Sequence, residues 1–188
     1  MKQSEIANAL TDKELRKQVF ISQYLLLAAG IILSFFFHDS YAEWFAYWQW
    51  DGREILLYGL VPGLIIVIAD LLLMYALPKS WYDDGGINER IFKGQSLTSI
   101  IGLVALIALA EEMLFRGVLQ TAFGYVTASI IFAVVHIRYL NKPVLLISVL
   151  FISFYIGYMF ELTGNLAVSI TAHFTVDFLL ALVIRFQK

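Results

Sequence analysis

Apolar runs long enough to cross a bilayer recur along this chain, and that recurrence constrains its fold more than any single motif does. Bounded by polar or turn residues, they occupy roughly 20–37, 55–77, 97–121, 125–140, 143–161 and 166–184. A helix of about 20 apolar residues spans about 30 Å of hydrocarbon. Inside lipid every backbone N–H and C=O needs an internal partner, which a helix provides. Composition agrees: the chain is 60% hydrophobic and 15% charged, whereas a soluble domain averages about 45–50% and about 25%. A single soluble core of 188 residues cannot bury that much apolar surface, which excludes a soluble enzyme. The expected fold is all-α, a polytopic membrane helical bundle of about six transmembrane helices.

Charge sets the expected orientation. Lys2, Lys13, Arg16 and Lys17 precede the first run, and Lys79, Arg90 and Lys93 separate the second from the third. Arg138 and Lys142 adjoin the turn between the fourth and fifth, Arg185 and Lys188 end the chain, and the alternate loops hold only Arg53. Cytoplasmic loops concentrate Lys and Arg, so both termini are expected in the cytoplasm. The chain divides into a polar N-terminal segment, 1–19, two spans with their loops over 20–96, and a four-helix core over 97–188. Within the first segment, Thr11 and Glu14 have capping-box spacing. The run that follows continues through Ala28-Ala29-Gly30 into Ile31-Ile32-Leu33, beyond the about 7–15 apolar residues of a signal peptide, and reads as a retained helix. Residues 41–50 hold three of the four tryptophans and read as an interfacial anchor. Pro62-Gly63 is a candidate bend in the second span, and Asp83-Asp84-Gly85-Gly86 reads as a turn. A net charge of −2 offers no basic face for phosphates, so the expected partner is the lipid bilayer and not nucleic acid. The chain has no cysteine, which excludes disulfides, thiol catalysis and Cys-ligated zinc.

Ionisable side chains interrupt these runs at Asp70, Glu111, Glu112, Arg116, His136, His173 and Asp177. A carboxylate or Arg at the centre of a spanning helix costs about 2.5–3.5 kcal/mol on insertion scales, a penalty that marks a candidate site. Glu112 and Arg116 stand at i,i+4, acid before base, and can pair on one helix face. That pair alone is equally a packing device. Glu111 lies about 100° around the helix and stays unaccounted for; a carboxyl in that setting suits general acid–base chemistry. Phe132 precedes His136 by one turn, and His173 and Asp177 stand at i,i+4, where the carboxylate can orient the ring. His38, beside Asp39 at the end of the first run, reads as an ordinary surface histidine. Asp70 reads as a packing or hydration residue, with Arg116 or the cavity opposite it.

Glu111-Glu112-x-x-x-Arg116, Phe132-x-x-x-His136 and His173-x-x-x-Asp177, in this order on successive apolar helices, resemble the three motifs of the CAAX protease and bacteriocin-processing family of intramembrane proteases. The resemblance covers about 97 to 184 and leaves the first two spans unmatched. It implies a glutamate-dependent intramembrane endopeptidase whose site lies in a helical bundle open to water on one side, and many bacterial members act in bacteriocin production, self-immunity or regulation. It further implies that Glu111 and His136 hold and deprotonate the attacking water, and that His173 with Asp177 stabilises the oxyanion. Glu112 with Arg116 would position Glu111 or help to bind substrate, and Phe132 would support His136. An ionised Asp177 would repel an oxyanion, so it is expected to act through His173 by accepting its second N–H.

Other readings use the same residues. Two His and one or two carboxylates could hold zinc with an open position for water, yet no His-Glu-x-x-His helix is present; a cofactor-free site is the expectation and zinc the minority alternative. A membrane regulator or scaffold could keep the polar core for folding alone. A proton-coupled transporter is disfavoured by the lack of an inverted repeat. The expected substrate is a peptide, a prenylated peptide or a membrane protein, and the expected location is a bacterial or archaeal cell membrane.

Overall fold

The computed structural model describes residues 9–187; Lys2, Lys188 and the start of the polar N-terminal segment lie outside them. Helix α1 (Asp12–Phe37) opens at the Thr11 capping box: Glu14 N–H donates to Thr11 Oγ1 at 3.3 Å, and Thr11 N–H donates to Glu14 Oε2 at 2.8 Å. The polar tract after Thr11 thus forms the first turns of the membrane helix. A short α2 (Tyr41–Ala46) carries the aromatic segment, followed by α3 (Gly52–Ala76) and a short α4 (Ile87–Phe92). Next come α5 (Leu97–Phe123), α6 (Tyr125–Val135), α7 (Pro143–Thr163) and α8 (Leu166–Phe186). There is no strand among the described residues. The all-helical bundle is the fold the apolar runs predict, and the chain is an integral, multi-pass membrane protein.

Five helices are long and apolar enough to cross a membrane, and the fourth run is the one that differs. It forms a helix of 11 residues, not the 16 of the expected span 125–140. At 1.5 Å per residue α6 reaches only about 16 Å, roughly half the hydrocarbon thickness. Its start is set by Gly124 (φ 85°, ψ 159°), a conformation open only to glycine, which lets α5 turn back directly into α6.

Packing centres on α8. It contacts α3, α5 and α7, while α1 lies along α5 and α6 lies against α7. The approach of α3 to α8 depends on Gly59 and Gly63, four residues apart in the small-xxx-small pattern that lets membrane helices touch backbone to backbone. A Cβ at Gly59 would lie 3.0 Å from the Val168 carbonyl oxygen, and one at Gly63 would lie 2.9 Å from Thr175 Cβ. Pro62 between them has no N–H for the Tyr58 carbonyl one turn back. The helix widens to a π turn over Ile55–Leu60, and Tyr155 Oη–H on α7 donates to that carbonyl at 3.1 Å. The α7–α8 hairpin closes through Gly164 in the left-handed region (φ 58°), after which Asn165 caps α8 by accepting from Ala167 N–H at 3.0 Å.

The start of α1 and the end of α8 both lie beside α4, at the end of the bundle that carries Lys93 and Arg138. Gly63→Ala should lower the melting temperature in detergent, because overpacking costs about 1–3 kcal/mol. Gly102→Ala on α5, with no atom within 4 Å of its added Cβ, should leave it unchanged or raise it. Thermal unfolding followed by tryptophan fluorescence makes the comparison.

Candidate active site

The site is built outward from α5. Its glutamates precede a second π turn, Phe115–Gln120, which begins where Phe115 N–H is shared between the Glu111 and Glu112 carbonyls. Such widened turns recur at functional positions in membrane and soluble helices alike. Glu112 and Arg116 are both fully buried, and Arg116 meets the carboxylate with two nitrogens, Nε to Oε2 at 3.2 Å and Nη1 to Oε1 at 3.3 Å. The guanidinium also donates through Nη2 to the Ser153 carbonyl on α7 at 2.9 Å and lies 4.6 Å from the Phe132 ring centroid on α6. Ser153 Oγ–H donates in turn to the Ser129 carbonyl at 3.0 Å. One buried Arg therefore ties together α5, α6 and α7.

Across the bundle, His173 on α8 presents Nδ1 to Glu112 Oε1 at 2.8 Å. A carboxylate accepts only, so this contact places the proton on Nδ1 and turns Nε2 toward Glu111 and Asp177. Glu112 thus holds Arg116 with one helix-face contact and His173 with another. The sequence spacing assigned the orienting role to Asp177; the structure gives that hydrogen bond to Glu112. Asp177 Oδ2 lies 3.5 Å from His173 Nε2, at the limit of a hydrogen bond, with its side chain 36% exposed.

His136 follows the last residue of α6 and does not lie within a span. Its Nδ1 meets the Phe132 carbonyl at 2.8 Å, which makes Nδ1 the donor and Nε2 the free nitrogen. Its ring is flanked by Phe132, with centroids 4.8 Å apart, and by Tyr139 at 5.7 Å. Tyr139 Oη is held by Arg138 at 2.7 Å, and Asn88 of α4 donates to the same oxygen at 3.3 Å.

Glu111 lies between the two imidazoles. Its Oε2 is 4.0 Å from His136 Nε2 and 3.9 Å from His173 Nε2, and this buried oxygen has no hydrogen-bond partner. Its Oε1 accepts from Gln23 Nε2 of α1 at 3.1 Å. Gln23 was invisible to the motif reading: an amide in an apolar run 88 residues away carries no spacing signal. Of the group, His136 (22%) and Asp177 (36%) are the exposed members, while Glu111 and His173 are below 10%. Both exposed members lie toward the Lys- and Arg-rich end, since α6 stops at His136 and α8 runs from His173 through Asp177 to Arg185.

The remaining expectations divide. Asp70 pairs with Ser148 and not with Arg116, accepting from Ser148 Oγ–H on α7 at 2.7 Å. His38 contacts its own preceding turn, Nδ1 lying 3.3 Å from the Ser34 carbonyl. In the aromatic segment Trp44 and Trp48 meet edge to face at 6.2 Å, and the Tyr47 carbonyl accepts Leu166 N–H at 2.8 Å, which seats the segment on the α7–α8 hairpin. Asp83 accepts Gly85 N–H at 2.9 Å in the expected turn. Among the described residues, no three His, Asp or Glu side chains are arranged to hold a metal ion.

Comparison with known proteins gives the same core. The family model for Rce1-like type II CAAX prenyl endopeptidases matches residues 93–179, which contain all three motifs. The uncharacterized protein YpbD of Bacillus subtilis (strain 168) is 46% identical over 167 residues, covering 89% of this chain and 88% of its own length. No solved structure gives a significant match. With the motifs inside the matched core and the likeness to YpbD extending over nearly the whole chain, the protein belongs to the Rce1-like type II CAAX prenyl endopeptidase family.

Proposed function

We propose that the protein is an intramembrane endopeptidase in which Glu111 is the general base for an attacking water. The observation that carries the reading is the unpartnered Glu111 Oε2, flanked at 4.0 and 3.9 Å by the free nitrogens of two histidines. These separations exceed a direct hydrogen bond and suit one small polar molecule in contact with all three groups. Glu111 as carboxylate and neutral His136, through Nε2, are both acceptors. A water would donate one O–H to each and turn a lone pair toward the scissile carbonyl.

In the first step the water oxygen bonds to the carbonyl carbon while its proton passes to Glu111 Oε2. His173, protonated on both nitrogens, keeps Glu112 on Nδ1 and donates from Nε2 to the oxyanion. The tetrahedral intermediate then collapses, the C–N bond breaks, and Glu111 returns its proton to the leaving amine. Glu112 and Arg116 serve by holding His173, and Phe132 by packing between Arg116 and His136. The substrate in this reading is a peptide segment, lipidated or not, that approaches Glu111 from the side of His136 and Asp177, the exposed members of the site.

The test maps protein termini in host-cell membranes, comparing wild type with Glu111→Gln at matched expression. Loss of a general base lowers the rate by about 10²–10⁴, so termini present with wild type should vanish in the variant. Identical maps from the two proteins, with a wild-type phenotype surviving the mutation, would establish a scaffold role and remove the catalytic assignment. Asp177→Asn should retain cleavage within about tenfold, because the Nδ1 proton of His173 is already held by Glu112; loss equal to that of Glu111→Gln would show that the charge at Asp177 is required.

A further inference from the structure

We infer that Gln23, on the first transmembrane helix and outside the residues matched by the family model, is a positioning residue of the active site. The inference rests on the reading of Glu111 as the base. A carboxylate on a flexible side chain has two equivalent oxygens and several rotamers, and only one orientation sets Oε2 between His136 and His173. The Gln23 amide fixes that orientation by donating from Nε2 to Oε1 at 3.1 Å, which leaves Oε2 as the oxygen facing the histidines.

Three observations separate this role from ordinary helix packing. First, Gln23 is 7% exposed and lies on the stripe of α1 that packs against α5, with Leu15, Gly30 and Ser34, where an apolar side chain would serve packing better. Second, Ser34 satisfies itself on its own helix by donating to the Ile31 carbonyl at 2.7 Å, whereas Gln23 reaches across to α5 and to the catalytic carboxylate. Third, Gln23 Oε1 is buried with no hydrogen-bond partner. A buried amide satisfied on one end only is poor glue, because the orphaned carbonyl offsets what the donated hydrogen bond contributes.

The donating end serves throughout the reaction. When Glu111 carries the proton taken from water on Oε2, Oε1 is the carbonyl oxygen of the acid and still accepts from Gln23 Nε2. The amide can therefore pair with Glu111 in both protonation states without movement of α1. Leu offers neither end, and Asn is one methylene too short to reach.

The experiment uses the full-length protein reconstituted in liposomes and a synthetic peptide spanning the cleavage site mapped with wild type. Gln23→Leu should fold with a melting temperature close to wild type, and its kcat should fall by about tenfold or more with KM nearly unchanged, since a misplaced base of this kind can cost about 10²-fold. A kcat within about twofold of wild type overturns the inference, as does a rate lost only in proportion to folded protein. A raised KM with unchanged kcat would also overturn it, because Gln23 would then bind substrate and not position Glu111. Termini that depend on Glu111 while Gln23→Leu cleaves normally would sink the inference alone. The absence of any Glu111-dependent terminus would sink the parent reading and the inference with it.

Discussion

The buried carboxylate of Glu112 is the interaction on which the rest of the structure depends. It meets Arg116 on its own helix and His173 on the opposite one, and all three are buried. Separately, each group would be costly in hydrocarbon; a buried charge stripped of its partner destabilises by about 3–5 kcal/mol. Together they pair, and Arg116 passes the connection on to Ser153 and Phe132. The polar centre of the bundle is thus a bonded network that four helices share. The neighbouring glutamate, about 100° around the same helix, is then free of any structural duty toward Arg116.

A short α6 makes that division useful. Because this helix has only about half the length needed to cross the hydrocarbon, His136 lies at a helix terminus. The chain beyond it folds back toward α4, where Asn88, Arg138 and Tyr139 bond to one another. The exposed members of the site, His136 and Asp177, face that end, and the buried members, Glu111 and His173, lie behind them.

The sequence made the helix-borne parts of this arrangement legible. Glu112 with Arg116, and His173 with Asp177, are i,i+4 pairs, and local helical geometry brings each within 4 Å. Spacing along one helix does not say which partner another helix supplies. Glu112 takes His173 Nδ1 from 61 residues away, which moves the orienting role off Asp177, and Gln23 reaches Glu111 from 88 residues away. Hydropathy also misjudged α6. Ile137 and Leu140 continue the apolar run, but the helix stops at Val135, where the His136 ring takes the Phe132 carbonyl and its N–H turns to Ala133. Pro62-Gly63 reads from sequence as a bend, and only the packing shows that Gly63 acts with Gly59 to bring α3 against α8.

Glu112 anchors the bundle and Glu111 does not, and thermal stability measured on the two single amides tests that division most directly. Glu112→Gln leaves Arg116 and His173 without their shared anion and should destabilise the protein by roughly 3–5 kcal/mol. Glu111→Gln removes a carboxylate that makes no ion pair with Arg116 and can still accept from Gln23 through its amide oxygen, so the folded protein should melt at or above the wild-type temperature. Equal destabilisation by both substitutions, or a native melting temperature for Glu112→Gln, would contradict the division of roles on which the proposed mechanism stands.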